Sequence, residues 1–77
     1  MASKEMVEYI AQGLVDQPDR VRVTEIRGAH ASVIELRVAR SDMGRVIGKE
    51  GRIANAIRML LKVPASKEGK NVILEIV

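Results

Sequence analysis

Apolar residues in this chain repeat at two alternating periods, and the order in which the periods change leaves few folds open. Met6, Val7, Ile10, Ala11, Leu14 and Val15 recur at helical spacing, one stripe on one face. Ser3 stands where a hydroxyl can accept from a first-turn amide, so it is the expected N-cap. Asp16-Gln17-Pro18-Asp19 ends the helix, because proline has no amide to continue the ladder. Arg20 to Arg27 is then β-branched and roughly alternating. Ile26 falls out of phase with Val21 and Val23, which predicts a bulge or a change of buried face near Glu25. Gly28-Ala29-His30-Ala31 reads as the turn, with Gly28 free to adopt positive φ. From Ser32 to Ala39 the alternation is clean, Ile34, Leu36 and Val38 on one face and Glu35 and Arg37 on the other.

The helical period then returns twice. Residues 41–47 form a short helix capped by Ser41. Ile53, Ala54, Ile57, Leu60 and Leu61 supply the stripe of a longer one, which Pro64 is expected to stop. Residues 65–70 read as a polar loop, and Asn71 to Val77 as a strand that buries Val72, Leu74 and Ile76. The predicted order is α-β-β-α-α-β, an α+β fold whose three-stranded sheet is packed on one face by helices.

With 77 residues the chain is expected to form a single domain, 1–77. It has no cysteine, one histidine (His30, in a predicted turn) and one aromatic residue (Tyr9). Disulfides, thiolate metal sites and thiol nucleophiles are excluded, and no paired-carboxylate motif is present. The expectation is a non-catalytic protein with no cofactor and no metal. Neither a signal-peptide pattern nor a membrane-length apolar run occurs, so a cytoplasmic location is expected and no membrane partner. The net charge of +3 conceals a division. Residues 1–19 carry −3, whereas residues 37–62 hold seven basic side chains against Asp42 and Glu50, a segment of +5.

That segment contains Val46-Ile47-Gly48-Lys49-Glu50-Gly51-Arg52-Ile53-Ala54-Asn55-Ala56-Ile57. Two glycines bracket a two-residue loop between the short helix and the long one. Without a Cβ, Gly48 and Gly51 let the backbone come close to a polyanion. The helix that follows aims free amides and the positive end of its dipole at the loop. A phosphate there meets N–H groups, the Lys49 ammonium and the Arg45 and Arg52 guanidiniums. A Walker A loop is excluded by the three-residue gap between Gly44 and Gly48 and by Glu50 after the lysine. No Gly-x-Gly-x-x-Gly is present either.

The loop, its flanking Val46-Ile47 and Ile57, and the element order together resemble a KH domain of the type II arrangement, across the whole chain. The Val-Ile-Gly-Lys-Glu-Gly-Arg-Ile-Ala-Asn-Ala-Ile-Arg run and the length are most similar to the small single-domain bacterial KH proteins of the KhpA type. The resemblance implies a GXXG loop that clamps about four nucleotides of single-stranded RNA. By position, Gly48, Lys49, Glu50 and Gly51 would touch phosphates and Ile47 would line the groove beside the bases. It also implies a homodimer, or a heterodimer with a KhpB/Jag-type KH protein, and a role as a post-transcriptional regulator or RNA chaperone. Off the core stripe, Met59 marks a candidate contact surface for such pairing. Two positions depart from the family pattern. Glu50 brings a negative charge to the loop tip, and Ala54 is smaller than the usual aliphatic residue, implying a shallower groove floor. The alternative is a module whose KH fold chiefly docks another protein.

Overall fold

The structure, a computed structural model, describes residues 3–77 apart from the side chain of Glu68. In chain order it contains α1 (Ser3–Leu14), β1 (Arg22–Arg27), β2 (Ala31–Arg37), α2 (Met43–Ile47), α3 (Arg52–Glu68) and β3 (Asn71–Ile76). Single 3-10 turns occupy Pro18–Arg20, Arg40–Asp42 and Lys49–Gly51. The predicted α-β-β-α-α-β order and the α+β class are therefore what the chain adopts. β1 and β2 pair antiparallel as a hairpin, while β2 and β3 run parallel, giving the sheet order β1-β2-β3. A parallel pair needs a crossover, and α2 with α3 supply it.

All three helices cover one face of this sheet. Val7 and Ala11 of α1, Val46 of α2, and Ile57 and Leu61 of α3 pack on Val23, Ile34, Leu36 and Leu74. Each buried aliphatic side chain of this size contributes about 1.5–3 kcal/mol of transfer free energy, so the stripes dictate which way every element faces. The second face of the sheet, with Arg22, Thr24, Ile26, Val33, Glu35, Arg37, Ile73 and Glu75, has no covering layer among the described residues.

Several local expectations need correction. β1 contains no bulge: its register with β2 is unbroken from Arg22↔Arg37 to Arg27↔Ser32. Ile26 lies on the uncovered face, in line with Val33 and Ile73. Gly28 does not take positive φ. Its N–H donates to Ala31 O at 2.8 Å, and a Cβ would sit 2.7 Å from that oxygen, so close approach requires the glycine. Ser3 lies inside α1, and its buried hydroxyl has no hydrogen-bond partner among the described residues, so it is not a cap. Nor does Ser41 cap α2. It lies in the preceding turn and accepts from Gln17 Nε2 at 3.2 Å.

Pro64 does not stop α3, and residues 65–68 are helical, not loop. A proline φ suits the helix, and the buried ring offsets part of the missing hydrogen bond. Termination comes from Gly69 in the left-handed region (φ 70°, ψ 25°). Its N–H donates to Ser66 O at 3.4 Å and that of Lys70 to Ala65 O at 3.2 Å, the paired bonds of a Schellman end. Leu60, expected in the core, is 51% exposed. The buried stripe of α3 is Ala54, Ile57, Leu61 and Pro64, which leaves Leu60 on its flank.

Candidate nucleic-acid interface

The loop between α2 and α3 is built from unusual backbone. Gly48 closes α2 by donating to Gly44 O at 2.8 Å, at φ 77° and ψ 173°. Lys49–Gly51 makes a single turn closed by Gly51 N–H to Gly48 O at 3.2 Å. Glu50 (φ 58°, ψ 23°) and Gly51 (φ 77°, ψ 14°) are both left-handed. The two glycines have different duties. A Cβ on Gly48 would lie 2.6 Å from Ile53 Cγ1 and 2.9 Å from Ile53 N, whereas one on Gly51 meets only Asn55 Nδ2 at 3.8 Å. Gly48 is thus required by packing under the start of α3, and Gly51 by its dihedral angle and an open approach.

This geometry presents Lys49 and Glu50 at the exposed tip, with no ion pair to either among the described side chains. No side chain caps α3 at Gly51, and the Arg52 N–H turns back onto Lys49 O, so the positive end of a 17-residue helix faces the loop through the amides that follow Arg52. Exposed Arg52 adds a guanidinium at the same place. Ile47 sits beneath, half-buried against the core. Gly48, Lys49, Glu50, Gly51 and Arg52 are therefore gathered in one place, with Ile47 as their support. Arg45 is engaged elsewhere. Its Nη2 lies 2.9 Å from Asp16 Oδ2 and its Nε 3.4 Å from Asp42 Oδ1. Asp42, only 1% exposed, also accepts the backbone N–H of Asp16 and of Gln17, each at 3.1 Å. This carboxylate ties the end of the α1 segment to α2.

Further along α3 than the loop, a groove lies between α3 and β3, lined by Arg58, Lys62, Ala65, Asn71, Val72, Ile73 and Leu74. Ala54 is buried and belongs to the core, not to this lining. Arg58 is held across the groove, donating to Asn55 Oδ1 at 3.2 Å and to Leu74 O at 3.4 Å. β3 is an edge strand. Asn71 N–H bonds His30 O and Val77 N–H bonds Leu36 O, so odd-numbered residues point their backbone groups at β2. By alternation, the backbone groups of Val72 and Leu74 face the groove. At the far end the groove opens into a basin with His30, Lys62, Ser66 and Lys70 on its walls. None of the described residues lining either concavity is acidic. Sequence reasoning missed this wall. Its signal was available, because Asn55, Arg58 and Lys62 recur at one-turn spacing after Gly51, beside the core stripe.

Residues 4–76 match the family model described as KhpA/KhpB, KH domain. The chain belongs to this KH family. It is 59% identical over 73 residues to the RNA-binding protein KhpA of Caldanaerobacter subterraneus subsp. tengcongensis, covering 95% of this chain and 97% of that one. It is 55% identical over 75 residues to RNA-binding protein KhpA of Aquifex aeolicus, covering 97% and 95%. It is 53% identical over 74 residues to RNA-binding protein KhpA of Clostridium acetobutylicum, covering 96% and 99%. No solved structure matches. Membership in the KhpA/KhpB family agrees with the α-β-β-α-α-β order and the mixed three-stranded sheet. Among the described residues, no helix is long and apolar enough to cross a membrane, and no cluster of His, Asp or Glu could hold a metal ion.

Proposed function

We propose that this protein is a non-catalytic module for single-stranded RNA, clamping the backbone at Gly48-Lys49-Glu50-Gly51 and laying bases along the α3–β3 groove. The observation that carries the reading is the union of an α3 N-terminus without a side-chain cap, a glycine loop and a groove with no acidic residue among its described lining. Lys49, Arg52 and the α3 amides hold phosphates. Arg45, already paired with Asp16 and Asp42, contributes less. Bases have no aromatic platform there, so they lie on aliphatic side chains and meet Arg58 and the edge groups of β3. Relatives that bear the name RNA-binding protein KhpA support the ligand class. In a cell, such a module acts as a cytoplasmic post-transcriptional regulator or RNA chaperone.

The test is binding to short unstructured RNA across a salt series. Lys49→Ala is expected to weaken binding and to flatten the log–log salt slope by about 0.7, one phosphate contact on a single strand. Unchanged affinity and slope would refute the clamp. A Gly48 substitution is a poor probe, since the Ile53 backbone leaves no room for it.

A second surface supports the pairing of KH modules. Met59 and Val63 of α3 are 68% and 60% exposed, and Leu60 flanks them, forming a continuous apolar strip opposite the core. A homodimer, or a heterodimer with a KhpB-type protein, would cover it and raise RNA affinity through effective concentration. Met59→Lys with Val63→Lys is expected to shift sedimentation to the monomer while leaving the fold intact. A wild-type protein that sediments as a monomer at high concentration, and captures no KhpB-type partner, argues against this pairing surface.

A further inference from the structure

Away from the loop and groove, three arginines share one concavity. Arg20, Arg22 and Arg37 line a concavity at the end of the sheet where β1 begins and β2 ends, with Val38 and Val77 as its apolar wall. None of the three forms an ion pair among the described residues. Arg22 and Arg37 are directly opposed in the β1–β2 register. Like charges placed directly across a strand pair repel and destabilise the sheet. One of the three is also held in place. Arg22 Nη1 donates to Asp19 O at 2.8 Å and to Val21 O at 2.9 Å, so backbone carbonyls fix the guanidinium without cancelling its charge. The acidic side chains nearby are Asp19, next to Arg20 in the chain, and Glu35 and Glu75, one row further along the same face, and none of them pairs with the three arginines.

A cluster of guanidiniums without ion-pair partners, one of them held in place, is the chemistry that recognises phosphate, since the planar fork matches two of its oxygens. We infer that Arg20, Arg22 and Arg37 form a second phosphodiester site, which takes the backbone of an RNA strand too long for the groove alone. The inference rests on the RNA reading above. It adds that the bound strand continues to the C-terminal end of the parallel strands, and that this outer site reads no bases.

The experiment compares a four-nucleotide RNA, which the clamp and groove accommodate, with an unstructured RNA of about twelve nucleotides. Both are titrated with the wild type, Lys49→Ala and the double variant Arg22→Gln/Arg37→Gln. On a single strand, each phosphate contact steepens the salt slope by about 0.7, which at 0.15 M salt is about fourfold in affinity. The double variant is therefore expected to bind the longer RNA roughly tenfold more weakly, with a slope lower by about 1.4, and to bind the tetranucleotide as the wild type does. Its far-UV circular dichroism should match that of the wild type, so that the loss reads on RNA and not on the fold. Lys49→Ala should weaken both RNAs. Equal binding of the longer RNA by wild type and double variant overturns the second site while sparing the clamp. Polyglutamate binding as tight as the longer RNA at equal ionic strength would replace the phosphodiester with an acidic polypeptide. Failure of the wild type to bind either RNA removes the clamp and this site together.

Discussion

Replacing Gly48 by alanine should damage this fold more than any other single-methyl addition at a glycine. At φ 77° and ψ 173°, a residue with a Cβ carries strain of about 1–3 kcal/mol. The new methyl also falls 2.6 Å from Ile53 Cγ1, 2.9 Å from Ile53 N and 3.0 Å from Ile53 Cβ. The side-chain carbon can move aside, but the nitrogen belongs to the first turn of α3 and moves only with the helix. Overpacking of this kind adds about 1–3 kcal/mol. Together the terms reach about 2–6 kcal/mol, against a total stability of about 4–12 kcal/mol for a chain of this length. With a urea dependence near 1 kcal/mol per molar for a small domain, the unfolding midpoint should fall by roughly 2 M or more. Gly51→Ala shares the positive φ but has open space, so its loss should stay near the left-handed cost of about 1–2 kcal/mol. Gly13→Ala, in α1 with nothing within 4 Å of the new carbon, should instead gain about 0.4–1 kcal/mol. Urea denaturation of the three variants, followed by far-UV circular dichroism, gives the comparison. Coincident midpoints for Gly48→Ala and Gly51→Ala would refute the argument from Ile53.

Two further outcomes follow from the same geometry. Asp42→Ala strands the N–H groups of Asp16 and Gln17 and should cost about 2–4 kcal/mol, whereas Ser41→Ala, which loses one exposed bond, should change stability by less than about 0.5 kcal/mol; thermal unfolding separates them, and equal effects would remove Asp42 as the tie. Glu50→Gly relieves the left-handed side chain and should raise stability by about 1 kcal/mol while tightening RNA binding at low salt. Weaker RNA binding by this variant would mean that Glu50 contributes to the ligand directly.

The order of elements and the loop were legible because each rests on local chemistry. The α1 stripe, the alternation of Ile34, Leu36 and Val38, and the Gly48–Gly51 spacing all report contacts with near neighbours in sequence. What stayed hidden depends on distant partners. Leu60 satisfies the helical period as well as Leu61 does, and only the direction from which the sheet approaches α3 decides that Leu61 is covered. Pro64 is a stop signal in isolation, yet the helix continues to a stronger one at Gly69. Asp42 looked like an acidic residue in a basic segment, because its two amide donors lie 25 and 26 positions away. In the candidate interface, the Gly48–Gly51 loop was visible as a motif. The opposite wall, Asn71 to Leu74, is brought to Arg58 and Lys62 only by the parallel pairing of β3.

That parallel pairing also sets the timing of assembly. Asn71 sits opposite Ala31, forty positions earlier, whereas β1 and β2 meet through a short turn. The hairpin can zip on its own, but β3 must wait until the crossover has shortened the distance its entropy would otherwise have to close. The groove is complete only once β3 has docked, since that strand is one of its walls. A nucleic acid held there would act as a latch on that final step, slowing the release of β3 and with it the unfolding of the whole chain.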